Sequence, residues 1–352
     1  MHVLMDLGTS HFRAAATETS DILNEPCVVA KTETGRTIIG SEAARMVGRN
    51  PDVIRIVHPM EAGAVKDLDA VVQVIEYAAR RLAPSRFARK FTMTLSFPTG
   101  LTHVEKKAVE EAAKLAGAKQ VHMVDASVAA AVGAGLPIES PTGCLVLDLG
   151  AGVTEAAVLS MRGVVNSRRL NRGGRDIDVA IADAVRKEYG FLLGSVSAEN
   201  LKKQFGAYAG KVVAVKGRNR TTGLPGEVEI PKSVVDAPLN SYCESVVDLM
   251  VQAISSCPPE LAGDIVDRGM VVLGGGAQMR AFTDKLLART EVPVVVADNP
   301  DTCIILGLMK TASWRSKGSL RGRFPLPSLP WRDVREPFHK VRAMMGRKLP
   351  QD

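Results

Sequence analysis

Short, nearly continuous apolar runs at residues 3–6, 91–97, 120–124 and 270–273 have the length and β-branched content of buried strands. Another run, residues 12–17, pairs naturally with the first as a hairpin. Longer stretches instead carry apolar residues at helical spacing, as in the stripe Val71, Val74, Ile75, Ala78, Ala79 and Leu82. A second stripe, Val104, Ala108, Ala112 and Leu115, is opened by the capping box Thr102-His103-Val104-Glu105 and stopped by Gly117. Residues 24–40 read as β-rich, 41–47 as a short helix and the small-residue stretch 126–133 as a helix. After the turn-rich segment 136–143 the scheme repeats: a hairpin region over 144–170, helices over 176–189 and 198–205, and β segments near 212–216 and 227–230. A long helix from about 240 to 256 follows, and then the strand 270–273 opens through Gly274-Gly275-Gly276 into a helix over 278–288. This alternation predicts an α/β chain with a boundary at 136–143.

One polar position interrupts the most apolar strand. In Cys144-Leu-Val-Leu-Asp148-Leu-Gly150-Ala151-Gly152 a single carboxylate precedes a glycine turn. Such a turn lets backbone amides approach phosphate oxygens while the aspartate holds a hydrated divalent cation beside them. Taken singly, it is equally an ordinary turn. The chain, however, carries it twice: Asp6-Leu-Gly-Thr9-Ser10 and Asp148-Leu-Gly-Ala-Gly152 both lead, at the same offset, into Ala-Ala. That self-similarity predicts two copies of one α/β unit facing a shared cleft. The Gly274–Gly276 triplet, between a strand and a helix, adds a third candidate approach to a ligand, with a tight turn as the alternative.

Composition sharpens this in two places. With 352 residues and 46% of them apolar, the chain can bury two cores, and no run nears the roughly 18–20 apolar residues of a membrane span. Its start shows no charged-then-apolar signal pattern, so a cytoplasmic protein is expected. Cys27, Cys144, Cys243, Cys257 and Cys303 form no CxxC pair and sit among apolar neighbours, which predicts packed thiols and no thiolate metal site. The net charge of +7 lies entirely in the tail: from Arg315 onward ten basic residues face three acidic ones.

These motifs resemble the bacterial actin MreB and its MreB-like paralogues, within the actin, heat-shock chaperone and sugar-kinase superfamily. The likeness runs through Asp6-Leu-Gly-Thr9, Asn24-Glu-Pro26, Ala129-Ala-Ala-Val-Gly-Ala-Gly-Leu-Pro137, Asp148-Leu-Gly150, Thr154-Glu155, Cys257-Pro-Pro-Glu-Leu-Ala262, Gly274-Gly-Gly276 and Pro293-Val-Val-Val-Ala297, about residues 1–315. It implies an actin-like ATPase fold of two duplicated RNase H-like α/β domains flanking a nucleotide cleft. Domain I would take residues 1–137 with 303–316 returning to it and an inserted subdomain at about 31–64. Domain II would take 138–302 with an insert at about 180–238, followed by a tail from 317 to 352. The resemblance implies ATP and magnesium as ligands. Asp6 and Asp148 would attend the metal, through water, and the attacking water. Gly8, Thr9, Ser10, Gly150, Ala151 and Gly152 would hold phosphates, Glu199 and Lys202 the ribose, and Gly274, Gly275 and Gly276 the adenosine. Without the resemblance, Glu199 and Lys202 would read as a solvated pair on a helix. The implied biology is a homopolymeric filament at the inner face of the cell membrane, organising cell-wall synthesis and cell shape with morphogenesis proteins, possible co-assembly with another MreB, and no nucleic acid.

Three departures stand out. Where the family carries Glu, the residue that orients its hydrolytic water, this chain has Ala126, and a methyl group accepts no proton. Asp125 is one position early and a methylene shorter, so it is not expected to substitute. Arg175 stands where the family usually has Asp, free either to meet phosphate or to point to solvent, and Val153 replaces a usual threonine. Hydrolysis is therefore expected to be weak or absent. A small-molecule kinase of the superfamily would need an acceptor pocket and a base that the sequence does not display, and a chaperone ATPase would need a further domain. Membrane contact is assigned to Phe324, Trp331 and Phe338 among the tail arginines, or to Phe87 in the loop 85–90.

Overall fold

The computed structural model describes residues 1–83, 91–207 and 210–316. Two five-stranded mixed sheets share one topology. In the first, His2–Leu7 lies at the centre, with Phe91–Phe97 and then Ala118–Asp125 parallel on one side and His11–Ala16 and Ile22–Pro26 antiparallel on the other. In the second, Cys144–Leu149 is central, with Met270–Leu273 and Val294–Val296 parallel on one side and Thr154–Ser160 and Gly163–Leu170 antiparallel on the other. The duplication read from the two Asp-Leu-Gly motifs is thus a duplication of strand order, with each aspartate near the end of its central strand. Parallel neighbours need crossovers, supplied by helices His103–Leu115 and Arg280–Thr290 at equivalent places. Two smaller three-stranded sheets lie outside this frame, one of Thr37–Ile39, Val29–Thr32 and Ile54–Val57, the other of Phe191–Leu192, Val212–Asn219 and Pro225–Pro231.

Each large sheet has its own core. Val3, Met5, Phe12, Val71, Ile75, Met93 and Leu95 pack in the first, and Leu145, Leu147, Ile181, Tyr242, Met250 and Leu286 in the second. Between them lies a layer of two helices, Ala126–Gly133 and Cys303–Ser316. Ala129, Ile305 and Leu308 meet Leu4 and Ala15 of the first sheet, whereas Ala130, Ala131 and Cys303 meet Val146 and Ala157 of the second. The run of small residues lets both sheets approach one helix.

Several expectations needed correction. The capping box is present, with Thr102 Oγ1 accepting from the Glu105 amide and Glu105 accepting from the Thr102 amide. Yet the helix buries Val109, Ala112 and Ala113, leaving Val104 79% and Leu115 58% exposed, so of the predicted stripe only Ala112 is fully buried. The bulky ends of the stripe, Val104 and Leu115, set the expected face, whereas the valine that packs is Val109, outside it. The long helix begins at Lys232, well before residue 240, and carries Pro238 within it. A proline there removes one backbone donor, but buried Val234, Val235 and Leu239 hold its first turns on the second core. The 198–205 helix extends over Ser195–Ala207, and the glycine triplet enters a 3₁₀ turn, Gly275–Gln278, before its helix starts at Arg280. The five thiols are free, and burial pushes Cys27 up to about 12 and Cys144 and Cys303 up to about 11. Phe87, Phe324, Trp331 and Phe338 lie outside the described residues. Among the described residues no helix is long and apolar enough to cross a membrane.

Candidate functional site

The two hairpin turns are built alike. The Gly8 amide donates to His11 O at 3.1 Å and the Gly150 amide to Val153 O at 3.0 Å. A Cβ at either glycine would lie 2.7 Å from that same carbonyl oxygen, so a side chain would break the turn. The turns also touch each other, since a Cβ on Gly152 would sit 2.8 Å from Thr9 Oγ1. Among the described residues the amides of Thr9, Ser10, Ala151 and Gly152 have no protein acceptor. Two facing turns with free N–H groups form an anion-binding concavity.

Carboxylates stand beside it. Asp6 accepts from Ser96 Oγ at 2.9 Å and lies 3.5 Å from Arg13 Nη1, its cross-strand partner. Burial nevertheless pushes the Asp6 carboxyl up, against Arg13 and Ser96. Burial, reinforced by the charge of Asp6, pushes Asp148 to about 7. Two neighbouring carboxylates whose carboxyls burial pushes up, with the charge of Asp6 adding to the rise at Asp148, fit a cation held between them and phosphate.

Sequence reasoning missed the residue opposite Asp148. Glu155 pairs with it across the second hairpin as Arg13 pairs with Asp6 across the first. Glu155 is 4% exposed; its Oε2 accepts from the Thr99 amide at 2.8 Å, and its buried Oε1 makes no hydrogen bond among the described residues. Burial pushes its carboxyl to about 7, Thr99 opposing and Asp148 adding to the rise. Thr99 Oγ1 in turn meets Ser127 Oγ at 2.9 Å, which brings the strand end 97–99 against the helix that begins at Ala126. The signal was available: a two-residue turn at Ala151-Gly152, between Gly150 and Val153, sets 148 opposite 155. Ala126 itself is buried and offers only a methyl, and Asp125, at the preceding N-cap position, makes no side-chain capping bond.

The remaining predicted residues divide. Lys202 is buried, with Nζ 2.7 Å from both Asp178 Oδ1 and Gly174 O, so it is not half of a solvated pair. Glu199 bonds Lys203, at 2.7 Å, and not Lys202. Across from it His11 feels the charges of Arg13, Glu199 and Asp301; burial first, then Arg13, holds its imidazole below the usual value. Arg175 does not run free into solvent: it is half-buried and its Nη2 reaches His58 Nδ1 at 3.4 Å. Arg169 Nη2 donates to Ala62 O at 2.7 Å and the Gly63 amide to Thr9 Oγ1 at 3.3 Å, so the 58–63 loop is tied to both halves. In the glycine triplet, Gly274 has φ +81° and its Cβ would lie 2.4 Å from Asp148 Oδ1, while a Cβ on Gly276 would meet Leu149. Only Gly275 faces open space.

The two raised carboxyls carry a pH consequence. Their values of about 7 lie above the ordinary 3.8 and 4.5, so the folded chain favours their neutral forms. That contribution is full at low pH, falls as the pH rises, and is gone above the folded values. The melting temperature of nucleotide-free protein should therefore drop between about pH 4 and pH 7, and Asp148→Asn should flatten the drop. Identical slopes in both proteins would contradict this.

The fold and paired turns define an actin-like protein. The structure superposes with MreB 5 of Spiroplasma citri bound to AMPPNP at a TM-score of 0.84, with 30% identity over 91% of this chain and 98% of that one. The same protein bound to ADP gives 0.83. The MamK double helical filament gives 0.75 at 17% identity, covering 89% of this chain and 99% of that one, a likeness of fold alone. A family model described as MreB/Mbl protein matches residues 1–318. The cell shape-determining protein MreB of Escherichia coli K12 is 37% identical over 314 residues, 86% of this chain and 90% of that one. The cell shape-determining protein Mbl of Bacillus subtilis is 33% identical over 309 residues, 86% and 93% respectively. The chain belongs to the MreB/Mbl family.

Proposed function

We propose that this chain is a cell-shape filament protein that binds ATP with magnesium in the cleft between its two sheets, polymerises in the nucleotide-bound state and hydrolyses slowly. The observation that carries the reading is the pair of touching turns whose amides at Thr9, Ser10, Ala151 and Gly152 have no protein acceptor among the described residues, with Asp6 and Asp148 beside them. Those amides would receive phosphate oxygens. A divalent cation there would neutralise charge on the phosphates, and Asp6 and Asp148 would hold it through water. Gly275, open towards the ligand, and Glu199 would border the nucleoside. Lys202, already engaged by Asp178 and Gly174, would act by holding the helix Gly174–Tyr189 in place. The two sheets would belong to separate domains, 1–137 with 303–316 and 138–302, each with its small sheet as an insert.

Filaments of such a protein would lie on the inner face of the cell membrane and serve cell-wall synthesis, alone or mixed with another MreB. Slow hydrolysis follows from Ala126, which has no proton acceptor. The same substitution favours a second reading, a non-hydrolysing scaffold that joins a hydrolysing MreB. A small-molecule kinase has no comparable support.

Asp148→Ala tests the assignment without endangering the fold, since it removes a carboxyl whose burial is unfavourable when charged. Affinity for a fluorescent ATP analogue with magnesium should fall tenfold or more, and polymer yield by sedimentation and electron microscopy should fall with it. Polymer formed equally well by the variant and without nucleotide would sink the proposal.

A further inference from the structure

We propose that the groove between the strand Thr37–Ile39 and the helix Leu68–Leu82 is a docking site for a partner protein, and that it takes an extended acidic peptide segment paired with the open edge of that strand. The groove shares no residue with the nucleotide cleft, so the proposal stands apart from the nucleotide reading.

The groove encloses about 810 Å³, within the range of cavities that hold ligands. Gln73, Tyr77 and Arg81 line it from the helix, and Thr37, Ile38 and Ile39 line it from the strand. The strand is the edge of its sheet, whose order is Thr37–Ile39, Val29–Thr32, Ile54–Val57. The Gly40 amide donates to Val28 O at 3.1 Å and the Thr32 amide to Arg36 O at 3.0 Å, so by the alternation of an antiparallel ladder Ala30 and Ile38 form the hydrogen-bonded pair between them. Thr37 and Ile39 therefore turn their amides and carbonyls outward, and among the described residues those groups meet no partner in another element. Ile38 and its two neighbours point to opposite faces of the strand yet all line the groove, which places the groove along the open edge.

Charge selects the occupant. Arg36, Arg45, Arg80 and Arg81 all border the groove. Arg80 is paired with Glu76 at 3.3 Å, and Arg81 lies over the Tyr77 ring at 5.9 Å. Among the described residues the guanidinium groups of Arg36 and Arg45 make no hydrogen bond or ion pair. Glu25 accepts from the Ser41 amide at 2.7 Å and Glu76 holds Arg80, which leaves only Glu42 to face the other arginines. Guanidinium groups converging on one concavity favour carboxylates, which each can grip through two parallel N–H donors. Gln73 Oε1 adds a second requirement: it is buried and makes no hydrogen bond among the described residues, so the occupant must bring a donor as well as anions. A peptide carries both. A lipid phosphodiester brings acceptors alone, and Glu25, Glu42 and Glu76 set among the arginines oppose a uniformly anionic surface. A second copy's Thr37–Ile39 edge is excluded as well, because it would bring the same arginines. An added acidic strand meets every requirement: its backbone pairs with Thr37 and Ile39 while alternate side chains carry carboxylates to the arginines.

The test uses the full, nucleotide-free chain and a fluorescent eight-residue peptide of alternating glutamate and valine, read by anisotropy. Saturable binding that weakens with salt is expected, and the lysine–valine analogue should not bind. The double variant Arg36→Ala, Arg45→Ala should bind tenfold or more weakly. Its melting temperature should stay within about 2 °C of wild type, because both side chains are exposed. The basic tail keeps its charge in that variant, so a peptide held equally by both proteins sits on the tail and overturns the proposal. Should the double variant melt lower, Arg45→Gln alone decides, with a loss of at least threefold expected and unchanged binding overturning the site. A peptide N-methylated throughout keeps its carboxylates but donates no strand hydrogen bond; it should bind at least tenfold more weakly, and equal affinity overturns the strand pairing. Phosphatidylglycerol vesicles are the last arm. Vesicles that pellet wild type but not the double variant, with no peptide bound, give the groove to lipid and overturn the proposal, as does an acidic peptide that fails to bind wild type.

Discussion

Gly307→Ala should lower the melting temperature by roughly 5 °C or more, equivalent to about 3 kcal/mol, the upper end of ordinary overpacking. A Cβ at Gly307 would lie 1.8 Å from Ala129 O and 2.6 Å from Ala129 C, both backbone atoms with no rotamer to yield. The same crossing repeats one step along, where a Cβ on Gly133 would lie 1.8 Å from Cys303 O. The helices Ala126–Gly133 and Cys303–Ser316 would have to separate, and on either side they are packed against Leu4 and Ala15 or Val146 and Ala157. Opening the pair therefore loosens both sheets at once, and nucleotide affinity should fall along with stability. Gly263→Ala is the control: it lies in the helix Pro259–Arg268 with open space at its Cβ, and there alanine should be neutral or stabilising by up to about 1 kcal/mol. A Gly307→Ala melting curve no lower than that of the control would refute the crossing as drawn.

That crossing was only half legible in the sequence. The small residues at 126–133 announced a close-packed helix, but nothing local told which helix would come so near, because Gly307 lies far along the chain from Ala129. The same division runs through the site. Asp6, Asp148 and the glycine turns were legible because a carboxylate inside an apolar strand, followed by glycine and repeated at a matching offset, has few structural explanations. Glu155 and Arg13 were hidden although the hairpin register places them opposite those aspartates. Both occupy strand positions where a charged residue reads as solvent-facing, and only burial by the other sheet reveals otherwise. Lys202 illustrates the limit of spacing arguments: three residues from Glu199 on one helix, it turns instead to Asp178 on a neighbouring helix. The face of helix His103–Leu115 was misjudged in part: Ala112 is buried as expected, but Val109 and Ala113 are buried with it while Val104 and Leu115 are exposed.

Ala126→Glu should raise phosphate release at least tenfold, up to the roughly 10²–10⁴-fold attributed to a well-placed base. The helix that starts at residue 126 has no side-chain cap from Asp125, and a carboxylate in its first turn meets the positive end of the helix. The cost is electrostatic. Asp148 and Glu155 are already pushed to about 7, and a further carboxylate in the same buried space raises all of them. Nucleotide-free Ala126→Glu should therefore melt below wild type, most clearly above about pH 7 where the carboxyls would have to be charged. Magnesium ATP should close that gap, because a ligand that binds only the folded chain stabilises it in proportion to RT ln(1 + [L]/Kd). Faster hydrolysis should also shorten filament lifetime, read as a steeper decay of light scattering once ATP is exhausted, whereas wild-type filaments persist. Unchanged release in a variant shown to bind nucleotide would mean that position 126 does not face the attacking water, and the account of slow hydrolysis would fall with it.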